Sequence, residues 1–328
     1  MTRFILSLYC LLLPAIASAQ CQGDDITTWL PAADRTALQA RVDATEFGQG
    51  LYWRATKDGN VINILGTMHL PDPRHAQILE RTAAQLDSAD IVLVEATLQD
   101  QTDMQIYMAN NPDLLTINAG PTLPEMLDDA TWQALRDAAQ SRGIPGFMAA
   151  KMQPWFLALS LSIPPCAMGA MMSGELGLDA MIMERAAAQG IPVEPLEPWE
   201  DMFALLTSGT QDEQLDALRI SALAPEVHDA LLTTIVNAYF EGNMALGWHL
   251  SAFLHGFVSN VSRQDYAEQI ALAEEQLLTD RNHKWIPIIQ DAVTRHNDVF
   301  IAFGAAHLIG KDGVLNLLQQ NGWTVAQH

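Results

Sequence analysis

Two strand-end corners with the same pattern, one near each end of the chain, constrain the fold more than any other feature. Residues 61–65, apolar except for Asn63, lead into Gly66-Thr67-Met68-His69, and apolar residues 299–303 lead into Gly304-Ala305-Ala306-His307. A continuous apolar run of this length is typical of a buried parallel strand. The matched pair therefore predicts an α/β fold, with a mixed sheet built from two pseudo-symmetric halves and a large helical insertion between them.

The segments beside the first corner follow a strand and helix order. Asp58-Gly59 is a turn signal, so residues 50–65 are predicted to form a hairpin of two strands. A helix over about 74–88 then leads to a buried strand at 91–95, which ends in Glu95. These elements predict that the first corner lies inside a sheet.

The middle of the chain is predicted to be mainly helical. Helices are predicted at 149–162 and 178–189, and a short strand is predicted at 192–196. Residues of about 198–280 show helical periodicity and form the predicted insertion. After the second corner we expect a helix that ends at Gln320 and an edge strand at 323–326.

The N-terminus has the features of a secretory signal peptide. A positive start, a short apolar stretch and the small residues Ala17-Ser18-Ala19 predict a signal at 1–19 and a single α/β domain at 20–328. No later segment offers about 18 uninterrupted apolar residues, so no membrane span is expected after cleavage. We therefore predict a periplasmic or secreted protein.

The charge of the chain excludes some partners. The formal net charge is −22, from 17 basic and 39 acidic residues. Such a surface repels nucleic acid and anionic lipid, so neither is a predicted partner. A peptide or protein substrate is compatible with this negative charge.

Three cysteines bear on the oxidation state of the exported chain. Cys10 leaves with the predicted signal, and Cys21 and Cys166 remain. An even number of cysteines in an oxidising compartment predicts a disulfide between them. The alternative is two unrelated thiols.

Three chemically active side chains follow predicted strands: His69, Glu95 and His307. Ligands of open α/β sheets gather beyond the carboxyl ends of the strands, and a glycine at each corner lets the backbone turn tightly there. Two imidazoles and a carboxylate are a common ligand set for a catalytic divalent metal ion such as Mn, Co or Zn. Glu95 is either a ligand or a general base, and the alternative for each residue is an ordinary polar cap.

Arg281 is a further candidate for the site. It lies in a polar patch before an apolar helical segment, and a guanidinium is suited to holding a carboxylate or a developing oxyanion. The alternative is a surface ion pair with Asp280 or Glu274.

With these motifs the chain resembles the TraB/GumN family, which includes the Tiki-type metalloproteases. The resemblance covers most of the predicted domain and rests on short blocks in the family's order. These blocks are Leu65-Gly66-Thr67-Met68-His69, Val92-Leu93-Val94-Glu95, Lys151-Met152-Gln153-Pro154-Trp155, Gly177-Leu178-Asp179, Leu196-Glu197, Arg281-Asn282 and Phe303-Gly304-Ala305-Ala306-His307-Leu308.

The resemblance implies a fold related to the erythromycin-esterase and ChaN-like group. It maps the residues that accompany metal-dependent proteolysis in Tiki-type members onto His69, Glu95, Arg281 and His307. Three further residues of the matched blocks are predicted to contact the substrate: Trp155, Asp179 and Asn282. Trp155 has packing as its alternative.

Two classes of function remain open from the sequence. The first is an exported metal-dependent hydrolase, in particular a peptidase, that uses the two Gly-x-x-His motifs with Glu95 and Arg281. The second is a non-catalytic periplasmic protein that binds haem, metal or a glycan, since ChaN-like relatives suggest haem. A role beside exopolysaccharide production rests on the family's name alone.

Overall fold

A computed structural model describes residues 23–258 and 261–328 of the chain. The predicted signal peptide and Cys21 lie outside the described residues, so signal cleavage and the Cys21–Cys166 disulfide stay predictions. Among the described residues no single helix combines the length and apolar character needed to cross a bilayer. The helices Pro154–Ser162 and Pro165–Met172 have this length and apolar character only when counted as one segment, and a bend of 86° separates them.

Within the described residues, six strands form one mixed sheet in the order β4-β3-β5-β2-β1-β6. Their bounds are β1 Tyr52–Lys57, β2 Asn60–Thr67, β3 Ile91–Val94, β4 Val193–Pro195, β5 Asp298–Gly304 and β6 Thr324–Gln327. The strands β4, β3, β5 and β2 are parallel, whereas β1 runs antiparallel between β2 and β6. The predicted mixed α/β fold is confirmed, and the pseudo-symmetry of two halves stays a prediction.

The predicted hairpin and edge strand are present. Asp58 and Gly59 have φ of 51° and 88°, so both turn residues adopt the left-handed backbone conformation that a tight two-residue hairpin turn requires. The strand β2 is buried along most of its length, and β5 is buried at its five central residues. This continuous burial explains why both strands read as apolar runs in the sequence.

The described part of the chain contains sixteen α-helices. The first nine are α1 Ala32–Ala44, α2 His75–Asp87, α3 Leu98–Asn110, α4 Leu123–Met126, α5 Asp129–Gln140, α6 Gly146–Ala149, α7 Pro154–Ser162, α8 Pro165–Met172 and α9 Leu178–Gln189. The remainder are α10 Trp199–Leu206, α11 Gln211–Ile220, α12 Pro225–Phe240, α13 Met244–His249, α14 Arg263–Glu274, α15 Asp280–Arg295 and α16 Val314–Gln320. A π-helical segment, Glu275–Thr279, joins α14 to α15.

One predicted helix is interrupted in the structure, and another has the bounds that were predicted. The predicted helix at 149–162 is wrong in its first part, because α6 ends at Ala149 and α7 begins at Pro154. Proline lacks the N–H that a helix interior needs and clashes with the preceding turn, so it takes the first helical position. The predicted helix at 178–189 is confirmed, and Gly190 ends it with a φ of 72°.

Side chains from the two faces of the sheet enter two different clusters. Ile62, Ile64 and Ile301 pack with residues of α1, α12, α13, α15 and α16. On the opposite face, Leu65 and Phe300 pack with residues of α2 and α9. The parallel strands are thus covered on both faces, as their continuous apolar sequence requires.

A third cluster lies among helices alone, formed by residues of α4, α5, α6, α7 and α11. The predicted insertion at 198–280 is therefore divided. Its helix α11 joins this cluster, whereas α12 and α13 pack on the sheet. No strand is found at 198–280 among the residues that are described, as predicted.

Candidate functional site

Four neighbouring parallel strands each place one ionisable side chain just beyond their carboxyl ends. His69 follows β2, Glu95 follows β3, Glu197 follows β4 and His307 follows β5. The carboxyl ends of parallel strands share one edge of a sheet, which is where open α/β sheets bind ligands. The site is built at this edge, and α9 and α15 add Asp179 and Arg281 from their first turns.

The corner glycines provide space and not an unusual backbone conformation. Gly304 has a φ of −51°, and the φ of Gly66 is not positive either. A Cβ on Gly66 would lie 2.6 Å from Cδ1 of Leu308, and one on Gly304 would lie 3.1 Å from Oε1 of Glu95. The expectation of a tight backbone turn at these glycines is therefore corrected to one of close packing.

Arg281 is the centre of a group of five side chains that we call the floor: Glu95, Glu197, Arg281, Asn282 and His307. Its Nη2 donates to Oε2 of Glu95 at 2.6 Å, and Nε donates to Oε1 of Glu197 at 2.8 Å. Nη2 also donates to Glu197, and Nη1 donates to the Leu277 carbonyl at 3.1 Å. The Arg281 side chain is only 8% exposed, which excludes the surface ion pair with Asp280 or Glu274.

The contacts of His307 define its tautomer. The Nδ2 amide of Asn282 donates to the Asp312 carbonyl at 2.9 Å, so Oδ1 of Asn282 faces Nδ1 of His307 at 2.6 Å. Nδ1 of His307 therefore carries the proton. Nε2 lies 3.1 Å from Nη1 of Arg281, which can only donate, so Nε2 is unprotonated and accepts from Arg281. Burial lowers the pKa of His307 to about 3, which keeps the ring neutral.

A second group, which we call the rim, consists of Thr67, His69 and Asp179. Nδ1 of His69 lies 2.7 Å from Oδ2 of Asp179, and the hydroxyl of Thr67 donates to the other carboxylate oxygen. The side chain of His69 is 67% exposed, in contrast to the floor. The charge of Asp179 raises the pKa of His69 to about 9, against a smaller opposing effect of desolvation.

A glycine lets the rim assemble. A Cβ on Gly177 would lie 2.1 Å from the carbonyl oxygen of His69, so only glycine fits between α9 and the first corner. The Leu178 amide donates to the Met68 carbonyl at 3.1 Å and joins the helix start to the corner. This contact brings Asp179 to His69.

Rim and floor meet at Gly304. A Cβ built there would lie 3.7 Å from Nε2 of His69, 3.7 Å from Cδ2 of His307 and 3.1 Å from Oε1 of Glu95. The amide of Gly304 donates to Oε1 of Glu95 at 2.6 Å. Burial alone would raise the pKa of Glu95, but His307, His69, Arg281 and this amide together lower it to about 2. Glu95 is therefore a carboxylate across the physiological range.

The donor set at Gly304 has the chemistry of a divalent metal site. Both histidines engage a side-chain oxygen through Nδ1, which is the usual outer contact of metal-binding histidines. As the side chains lie, no three His, Cys, Asp or Glu residues in the described ranges form a ready-made metal site. Nη1 and Nη2 of Arg281 instead lie against His307 and Glu95. The residues near Gly304 fit a cation in type, and Arg281 is the group that now neutralises them.

The predicted substrate residues fall in three different places. Asp179 belongs to the rim and Asn282 lies behind His307, where the contacts of its amide favour a positioning role. Trp155 is outside the site. Its Nε1 donates to the Leu114 carbonyl at 3.0 Å, and its ring packs against Phe203 at 5.7 Å. Substrate contacts by these residues stay predictions.

Glu197 is the residue of the floor that the sequence reasoning did not single out. Its side chain is 9% exposed, and it bonds to Arg281 and to Nε1 of Trp285. A signal was available, because Glu197 comes directly after the predicted strand at 192–196. It is a carboxylate in the same position that singled out Glu95.

Comparison with known proteins supports the resemblance seen in the sequence. A sequence model of the TraB/PrgY/gumN family matches residues 51–327, which include every residue of the rim and the floor. No curated protein and no solved structure matches the chain.

Proposed function

This chain belongs to the TraB/PrgY/gumN family, and from that premise we propose that it is an exported hydrolase of peptide bonds that uses a divalent metal ion. The convergence at Gly304 carries the proposal. Two imidazoles held through Nδ1 and one ionised carboxylate approach one point beside a buried guanidinium. Such a set serves hydrolysis better than simple packing, because it places a base, ligand atoms and a cation within contact of one another.

The metal ion would be held by Nε2 of His69, Nε2 of His307 and Glu95, and it would supply an activated water and polarise the scissile carbonyl. Asp179 and Asn282 orient the two rings, and the Nδ1 protons that they accept keep each Nε2 directed at the site. Glu95 is ionised at neutral pH, so it can hold the ion or take a proton from the attacking water.

Arg281 supplies positive charge for the transition state. Its Nε and Nη2 donors are committed to the carboxylates of Glu95 and Glu197, and one Nη1 proton is committed to the Leu277 carbonyl. The other Nη1 proton lies against Nε2 of His307, and it would turn to a developing oxyanion once that nitrogen holds the metal ion. Glu197 is a positioning residue that fixes the guanidinium in this orientation.

Cleavage of a peptide library with added Mn, Co or Zn tests the proposal. We expect turnover that a chelator abolishes and that falls at least about 100-fold in His69→Ala and His307→Ala. His283→Ala is the matched control, since that histidine is 54% exposed and its ring pairs with Asp312. Turnover that survives both chelation and the two substitutions would exclude the metal mechanism.

The binding class of function is separated by two further measurements. Elemental analysis and absorbance in the Soret region on the purified protein report bound metal and bound haem. Haem without hydrolysis would favour a binding protein over a hydrolase. Export is tested by N-terminal sequencing of the protein from the periplasm or medium, where we expect a start after Ala19.

A further inference from the structure

A small apolar cleft opens directly beside the floor, between the starts of α3 and α10. Its volume is about 70 Å³, and its wall on the site side is formed by Glu95, Glu197 and Arg281. The opposite wall is mainly apolar and includes Ala96, Met104, Trp199 and Met202. A group in this cleft lies in contact with the residues that would act on a substrate.

The helix α3 carries apolar side chains that the rest of the molecule covers only in part. It contains no buried residue, although it carries Leu98, Met104, Ile106 and Tyr107. Leu98, Ile106 and Tyr107 are 41%, 55% and 42% exposed. The helix that contributes Met104 to the cleft therefore also exposes apolar surface.

The carboxylates of the cleft already have partners. Glu95 and Glu197 are bonded to Arg281, and Asp100 accepts from the amide and hydroxyl of Thr97 at 2.8 and 2.6 Å. An incoming anion would meet three negative charges, and a charge of either sign would give up its water for a mainly apolar lining. The cleft favours an uncharged, apolar group.

We propose that this cleft is the specificity pocket of the enzyme and takes an aliphatic side chain of the substrate residue next to the scissile bond. The inference rests on the proposed function, because it assigns the substrate class of that same site. About 70 Å³ exceeds the ~30 Å³ that one water occupies in the liquid, which suits a chain of a few carbons.

The lining explains a preference for aliphatic shape. Met104 and Met202 are flexible and polarisable, so they adapt to linear and branched chains. Trp199 is held more firmly, because its ring packs against Tyr107 at 5.5 Å and Phe203 at 6.3 Å. A substrate that carries glycine in this position leaves the cleft unfilled and gains no apolar burial.

Methionine-methyl NMR on the full exported chain in zinc-containing buffer tests the cleft without any need for turnover. Met104→Leu and Met202→Leu assign the two signals. We expect both to move on titration with N-acetyl-leucine amide and to stay in place with N-acetyl-glycine amide. The signal of Met172, which is 83% exposed on α8, is the control and should not move. An equal response to the glycine compound, or a stronger one to N-acetyl-lysine amide, would overturn the proposal.

A second experiment fills the cleft with a larger side chain. Met202→Trp should weaken binding of the leucine compound by at least about tenfold, with its fold checked by circular dichroism, whereas Met172→Trp should leave binding unchanged. Undiminished binding in folded Met202→Trp would contradict the proposal.

If the cleft binds leucine amide but no peptide is cleaved with any metal, the hydrolase proposal fails and the cleft stands as a binding site. Cleavage with no side-chain preference would overturn the cleft alone.

Discussion

The rim and the floor hold the same Gly-x-x-His sequence in opposite electrostatic settings. At the rim, His69 is 67% exposed and pairs with the carboxylate of Asp179, which raises its pKa to about 9. At the floor, His307 is 4% exposed, donates from Nδ1 to the uncharged amide of Asn282 and has a pKa lowered to about 3. The difference arises from the group behind each ring and from burial, and neither belongs to the motif itself.

This contrast shows how one motif can serve two purposes. The neutral His307 offers a lone pair at all ordinary pH values, whereas His69 binds a proton until a cation or a rise in pH removes it. The floor is therefore the permanent half of the site, and the rim is the half that responds to its surroundings. Three predictions test this division, in order of expected effect.

The largest effect is expected when the floor loses a charge. Glu197→Ala leaves Arg281 buried with one carboxylate fewer, and breaking such a buried pair costs about 3–5 kcal/mol of unfolding free energy. The measurement is urea or guanidinium denaturation. Glu194→Ala is the matched control on β4, the strand just before Glu197. Glu194 is 44% exposed where it pairs with Arg295, so a far smaller loss is expected. Similar losses in the two variants would contradict the buried role of Glu197.

An exchange of partners should reverse the contrast between the two histidines. Asp179→Asn removes the anion behind His69, so its pKa should fall from about 9 toward 6.5. Asn282→Asp adds an anion behind His307, so its pKa should rise by at least about one unit. Imidazole resonances followed against pH, on protein treated with a chelator, give both values. Unchanged pKa values in both variants would show that the partner groups do not determine them.

The smallest effect is the pH dependence of the rim. The pKa of His69 is higher in the folded protein, at about 9, than its ordinary 6.5, so its contribution to stability is fully present below pH 6.5 and is lost as the pH rises through about 9. Because the ring is largely exposed, we expect no more than about 1 kcal/mol.

Denaturation of wild type and His69→Gln measures this contribution. The difference in unfolding free energy should be greatest near about pH 6 and should vanish near about pH 10. The same difference, measured in an Asp179→Asn background, should lack this pH dependence. A difference that grows with pH would have the wrong sign for a raised pKa.

Local sequence determined the elements and the residues at their ends. Largely apolar runs predicted β2 and β5, Asp58-Gly59 predicted the hairpin turn, and the helical segment 178–189 predicted α9. These features depend on backbone preferences and on burial of a short segment, so the sequence is sufficient for them. The position of His69, Glu95 and His307 after predicted strands indicated the edge of the sheet where the site lies.

Only the tertiary structure decided which side chains meet. The strand β4 pairs with β3 and brings Glu197 to Arg281, although the two residues are distant in the chain. Asn282 behind His307 and Asp179 behind His69 also depend on helix docking, which no local pattern encodes. The pKa of each histidine follows from these partners and from burial, both of which act through space. The sequence thus determined the two corners, and packing alone made one of them a rim and the other a floor.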